Sequence, residues 1–180
     1  MEYKIRKFNP DRDTKKPFNC GNADLNGFLL ETDKHHHNAT RHAEELLSET
    51  YVAVDNNDKI IAYFSLLNDK IERGFTEPSI WNKLSRKIPN AKKRSSYPAL
   101  KIGRFAIDSN YQHLGIGKEL IRIVQMWTAQ DKKTGCRFIT VDALTCAIEF
   151  YKKCDFFVLQ NTEPEKETTP MCFDLKSIKN

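Results

Sequence analysis

The sequence contains no C-x-x-C pair, and its five cysteines (Cys20, Cys136, Cys146, Cys154 and Cys172) are odd in number and irregularly spaced. Neither a disulfide framework nor a thiolate metal site fits that arrangement, so reduced thiols are expected, with Cys136 a small core residue inside an apolar run. No apolar run approaches the roughly 20 residues needed to cross a bilayer. The opening MEYKIRKFNPDRD has no apolar signal-peptide core. A soluble cytoplasmic chain with no membrane partner is therefore expected. The run HHHNATRH (His35, His36, His37, His42) invites a metal. Neighbouring helical positions point in different directions, however, and no cysteine or carboxylate completes a ligand set, so no metal is assigned.

One absence is local. Between Ser79 and Ile107 there is no Asp or Glu, although the whole chain has 24 of them and a net charge of only +5. The same stretch holds Lys83, Arg86, Lys87, Lys92, Lys93, Arg94, Lys101 and Arg104. Two readings stay open: a solvated surface, or a patch for a polyanion such as RNA.

What is present is an ordinary globular composition, 39% hydrophobic and 11% aromatic in 180 residues. That length suits one domain, 1–180, with a real core. Residues 3–8 alternate as a strand. NCGNADLNGFLLETD opens a helix, with Asn22 or Asp24 as cap and Leu25, Phe28 and Leu29 at helical spacing. TYVAVDNNDKIIAYFSLL reads as a hairpin around DNND. Residues 78–88 predict a short helix with Pro78 in its first turn, and PNAKKRSSYP a loop. ALKIGRFAI has few polar interruptions and suits an interior strand. GIGKELIRIVQMWTAQDKK predicts an amphipathic helix on Leu120, Val124 and Trp127. CRFITVDAL is a strand, TCAIEFYKKCDFF a short helix running into a strand, 161–170 a loop, and MCFDL a last strand. The order implies an α/β sheet with mixed strand directions.

The chemistry centres on YQHLGIGKEL, residues 111–120. It follows an interior strand and opens a helix, so Gly115 and Gly117 let backbone approach a ligand and Lys118 adds charge. Free amides and the dipole of a helix start favour an anion. The spacing matches neither a P-loop nor G-x-G-x-x-G, since position 120 is leucine. From the residues alone, a phosphate cradle and a tight structural turn both remain open.

The pattern Q-x-x-G-x-G after FAID resembles motif A of the GNAT acetyltransferase superfamily. AIEFYKKCDFF is similar to the family's F-Y-x-x-x-G-F segment, with Asp155 where glycine is usual. The resemblance spans roughly residues 3–175. It implies a GNAT fold, α/β (mixed α+β), with a central mixed, largely antiparallel sheet of six to seven strands and helices on both faces. It further implies acetyl-CoA as co-substrate, without a metal. The pyrophosphate would be held at Gln112, His113, Leu114, Gly115, Ile116, Gly117 and Lys118, and the pantetheine arm by the backbone of Phe105, Ala106 and Ile107. One of those N–H groups would polarise the thioester carbonyl. Tyr151 would be the general acid for the leaving thiolate, against a structural alternative as a half-buried helix tyrosine. No general base stands out; Asp142 and the weaker Glu149 are the carboxylates available.

FNCGNADLNGFL resembles the opening of a GNAT branch that includes the acetyltransferase toxins of toxin–antitoxin modules, as do YFSLLNDKIERG and LKIGRFAID. That branch implies an aminoacyl-tRNA acceptor, an antitoxin partner and a homodimer. The segment SIWNKLSRKIPNAKKRSSYP is longer than in those toxins. The readings carried forward are an N-acetyltransferase acting on a protein or small-molecule primary amine, a toxin acting on charged tRNA, and a non-catalytic CoA-binding module.

Overall fold

Proline, asparagine and β-branched runs divide the chain as the patterns imply, with two short helices added. The computed structural model describes residues 2–33, 37–89, 94–130, 135–160 and 166–178. The elements are β1 (Lys4–Lys7), α1 (Pro10–Asp13), α2 (Ala23–Leu30), α3 (Ala39–Glu44), β2 (Glu49–Val54), β3 (Ile60–Glu72), α4 (Pro78–Arg86), β4 (Ser96–Ile107), α5 (Ile116–Gln130), β5 (Phe138–Leu144), α6 (Ile148–Lys152), β6 (Phe157–Val158) and β7 (Thr168–Asp174). They form a seven-stranded sheet in the order β1-β2-β3-β4-β5-β7-β6, with β4 interior as expected. The β1–β2, β2–β3, β5–β7 and β6–β7 pairs are antiparallel, and β4–β5 is parallel. The two helices missed from the sequence, α1 and α3, are too short for periodicity to register.

The chain makes two compact units, Met1–Leu67 with Ile102–Leu120, and Asn68–Lys101 with Ile121–Asn180. In the first unit the β2–β3 turn is built by Asp55, whose carboxylate accepts from the Asn57 and Lys59 amides, while Asp58 takes a left-handed φ of 57°. Asn22 caps α2 by accepting from Leu25 N–H. Phe28 and Leu29 turn inward from that helix against Phe18, Val52, Ile60 and Tyr63. Tyr63 is the centre of this core. Its ring stacks on Phe28 with centroids 6.1 Å apart, meets Phe18 edge-on at 5.5 Å, and its hydroxyl donates to the Leu25 carbonyl at 2.7 Å. A buried tyrosine with a satisfied hydroxyl keeps its apolar burial without the cost of an orphaned donor.

At the rim of the same unit, Asp13 is fully buried beneath an ion pair. Arg6 grips its carboxylate with both terminal nitrogens, at 2.6 and 2.8 Å, and Asn9 N–H adds a bond at 2.8 Å. Lys16 bridges to Asp58 across the group.

In the second unit, Ala99–Lys101 of β4 pairs with Phe138–Thr140 of β5. α4 buries Trp81 and Leu84, and Trp81 stacks on Tyr97 at 5.3 Å. β4 and β7 start earlier than expected, inside the segments read as loops, because prolines 98 and 170 look like breakers. A proline loses its donor but keeps its acceptor. Accordingly, Pro98 C=O accepts from Arg137 N–H and Pro170 C=O from Leu159 N–H. Two burial expectations also change. Cys136 lies ahead of β5 and is only half-buried, its thiol donating to Phe138 C=O, while Cys154 and Cys172 are the buried cysteines. None of the five cysteines is in a disulfide. On α5, Leu120, Ile121 and Val124 are buried, but Trp127 is 39% exposed. The inward stripe ends instead at Gln125, whose amide donates to Cys154 C=O at 3.0 Å.

Asp155 closes the turn after α6 with φ 66°. A left-handed conformation that glycine would take without strain is thus adopted by an aspartate, at some steric cost.

Two stability predictions follow from these local features. The Arg6 pair and the Asn9 amide outweigh burial, which alone would raise Asp13, and hold its carboxyl below the ordinary range. Its contribution is therefore present above the unfolded value of about 3.9 and is lost as pH falls through the lowered folded value. Arg6→Ala should cost about 3 kcal/mol in urea unfolding at pH 7. It should also flatten the fall in stability between about pH 5 and pH 2. Asp155→Gly should raise Tm by about 2 °C through relief of the left-handed strain, read by calorimetry.

Candidate active site

The turn is defined by what precedes it. β4 ends where Asp108 N–H donates to Ile61 C=O at 2.9 Å. Asp108 is 3% exposed, and its carboxylate accepts from Asn19 N–H, Asn110 N–H and the Asn110 side-chain amide. Those bonds bend residues 109–111 into a tight 3-10 turn, Ser109–Tyr111. Gln112 follows, and its side-chain amide donates to Ile107 C=O at 3.0 Å and to Cys20 C=O at 2.9 Å. The Gln112 side chain is thus engaged with protein carbonyls.

His113 and Gly115 then take left-handed φ of 62° and 83°. Of the two glycines in the motif, Gly115 is the one that uses positive φ; Gly117 lies in the first turn of α5. A Cβ built on Gly115 would meet nothing within 4 Å, so the space beside the turn is open. The helix ladder begins with Glu119 N–H donating to Gly115 C=O. The amides of Ile116, Gly117 and Lys118 precede that first bond. His113, Leu114, Gly115 and Lys118 are exposed, while Ile116 is buried and anchors the helix start. Open space, left-handed backbone, helix-start amides and an exposed lysine together fit a pyrophosphate.

On β4, Phe105 and Ile107 are half-buried and Ala106 is buried. All three lie beyond the Ala99–Lys101 register with β5.

Tyr151, in the second unit, is 5% exposed on α6, with edge-on contacts to Phe150 at 5.1 Å and Phe156 at 5.4 Å. Burial first, and then the Cys154 thiol, push its hydroxyl well above the ordinary tyrosine value. The phenol therefore keeps its proton throughout the physiological range. Asp142 is tied to Lys101 by an ion pair at 2.5 Å. Glu149 is bonded to Lys152, which lowers its pKa and weakens it as a base. Each carboxylate is thus engaged by a lysine.

Of the histidines, His35 and His36 lie outside the described residues. His42 shares a hydrogen bond with Ser48 through Nδ1 and packs edge-on against Phe28. Burial, His37 and Arg104 lower its pKa. No cluster of three metal-ligating side chains occurs among the described residues, and no described helix is long and apolar enough to cross a membrane.

In the basic stretch, Lys92 and Lys93 also lie outside the described residues. Lys101 pairs with Asp142, and Arg104 faces Asp24 at 3.6 Å and lies over the Phe28 ring. Lys83, Arg86 and Lys87, on and just after α4, are exposed. Among the described residues of the stretch, the exposed cations outside these pairs are the three at α4 and Arg94.

The sequence reading missed Asn19, Asn26 and Asp108, which shape the approach to the turn. Asn19 and Asn26 lie in NCGNADLNG, which reads as a helix start and as part of the opening that resembles a GNAT branch, and Asp108 ends FAID; none of these patterns shows the side-chain bonds.

Among solved structures, AtaT complexed with acetyl-methionyl-tRNAfMet is similar over 98% of this chain and 97% of its own, at 26% identity and a TM-score of 0.75. A tyrosine-to-phenylalanine mutant of KacT is similar over 99% and 98%, at 25% identity and a TM-score of 0.76. AtaTR bound with AcCoA shares the fold at 24% identity, over 98% and 95%, with a TM-score of 0.72. The sequence model of the acetyltransferase (GNAT) domain matches residues 47–157, more than half of the chain, including both the glycine turn and Tyr151. The protein is an N-acetyltransferase belonging to the GNAT family.

Proposed function

We propose that the protein transfers the acetyl group of acetyl-CoA to the amino group of an aminoacyl-tRNA. The similarity that carries this is end-to-end correspondence with AtaT in complex with acetyl-methionyl-tRNAfMet. The exposed cations of α4 add a surface that suits a phosphate backbone. A protein antitoxin that restrains the activity belongs to the same reading, as with AtaT bound to the C-terminus of AtaR.

Each residue then has a role. The amides of residues 113–118 hold the pyrophosphate, helped by the α5 dipole and Lys118. The backbone of Phe105, Ala106 and Ile107 pairs with the pantetheine arm, and one N–H there stabilises charge developing on the thioester oxygen. The neutral amine attacks the acetyl carbon, the C–S bond breaks, and the surplus amine proton leaves to water. The Tyr151 hydroxyl gives its proton to the sulfur and is reprotonated from solvent. Burial raises the proton affinity of a phenol and of a nascent thiolate alike, so desolvation of both leaves the balance between donor and acceptor of the proton unchanged.

Four outcomes test this. Incubated with labelled acetyl-CoA, the protein should modify charged tRNA; modification only of polyamines or peptides would replace the acceptor. Tyr151→Phe should lower kcat about 100-fold with little change in acetyl-CoA affinity, since one general acid contributes at least that much. An equal turnover would remove Tyr151 from the chemistry. Because its pKa is raised, wild-type kcat/KM should climb as the α-amino group deprotonates near about pH 8 and should not fall before about pH 10. Replacing Lys83, Arg86 and Lys87 by Glu should weaken tRNA binding and reduce the log–log salt slope by about 2, leaving acetyl-CoA affinity intact.

A further inference from the structure

We propose that residues 19–26, a loop and the first turn of α2, form a brace that sets the affinity of the glycine turn for acetyl-CoA, with Asn26, Asp108 and Gln112 as its positioning residues. The inference rests on the reading of that turn as the donor's pyrophosphate cradle.

The brace is built from polar side chains rather than from core packing. Asn26, on α2, accepts from Cys20 N–H at 2.9 Å and from the Cys20 thiol at 3.1 Å, while its amide donates to the Asn19 side-chain oxygen at 2.9 Å. That same oxygen accepts from Gly21 N–H at 2.9 Å. Gly21 sits at φ 85°, a conformation that only glycine takes readily. The loop is thereby fixed in one shape, with the Asn19 and Cys20 carbonyls presented outward.

Those two carbonyls take hold of the segment that joins β4 to the turn. Asn19 C=O accepts from Ser109 N–H at 2.8 Å, and Cys20 C=O accepts from the Gln112 amide at 2.9 Å. Asn19 N–H donates back to the buried Asp108 carboxylate at 3.1 Å. Gln112 also closes on Ile107 C=O, so the two ends of residues 107–112 are tied to each other as well as to the loop. The next residue, His113, is the first left-handed position of the turn.

The physical consequence is preorganisation. Amides that point at an anion bind it well only if their directions are set before the ligand arrives. Residues 107–112 set those directions, and the hydrogen bonds that hold them come from a loop some 90 positions earlier in the chain. Asn26 itself bonds only within residues 19–26 in this network, so it acts through Asn19 and Cys20.

Calorimetry and steady-state kinetics on the full chain test the proposal with acetyl-CoA as the probe. Gln112→Glu exchanges two donated bonds for a carboxylate facing two carbonyls and should lose about tenfold or more in donor affinity. Asn26→Leu keeps the side-chain size without its polar atoms. Its KM for acetyl-CoA should rise about tenfold, with kcat at saturating donor within about twofold of wild type. Leu84→Ala, a core change in the other unit with a comparable loss of Tm, should leave donor affinity unchanged, which separates positioning from general destabilisation. If Gln112→Glu does not fold, Asn26→Leu carries the test. Wild-type affinity in the folded variants, a loss in kcat instead of KM, or an equal loss in Leu84→Ala overturns the brace while the donor reading stands. A wild-type protein that does not bind acetyl-CoA overturns both.

Discussion

A buried carboxylate with no cation paired to it among the described residues governs the entry to the glycine turn. Asp108 is held by backbone and amide donors alone, so its charge is stabilised by directed hydrogen bonds rather than by a salt bridge. Donors of that kind have fixed positions, and fixing them fixes where β4 stops and the turn starts. Residues 113–118 inherit their orientation from it, since the backbone has only two soft dihedrals per residue in which to drift.

Tyr151 has the opposite surroundings. Tyr151 is packed among Phe150 and Phe156, and burial keeps its proton in place. One group is thus a buried charge satisfied by polar neighbours, and the other a buried acid kept neutral by apolar ones. The nearby carboxylates Asp142 and Glu149 are each occupied by a lysine, which agrees with an attacking amine that loses its proton to water.

Much of the fold was legible because periodicity is a strong signal over long elements. The hairpin around Asp55–Asp58, the interior strand ending FAID and the helix after the glycines all emerge from alternation, apolar continuity and i, i+4 spacing. Short helices such as α1 and α3 were not legible, because four to six residues complete too few turns to show a period. The early starts of β4 and β7 were hidden by Pro98 and Pro170, whose carbonyls still serve as acceptors. Trp127 looked like core by spacing, yet the packed stripe of α5 ends at Gln125. Among site residues, the glycine turn and Tyr151 stand out as motif, whereas the bonds from the Gln112 side chain to the Cys20 and Ile107 carbonyls leave no mark in the sequence.

The sequence by itself determined the fold class, the family and the place of the glycine turn, because each depends on local pattern: a strand, two glycines, a helix start. The tertiary structure decided which glycine takes the left-handed backbone, that Asp155 adopts a glycine's conformation, and that Lys101 and Arg104 lie near acidic partners while the α4 cations stay exposed. It also decided what Asn19, Asn26 and Gln112 do. Their partners lie up to 92 positions away, and hydrogen bonds of that span leave no periodic trace in a single chain.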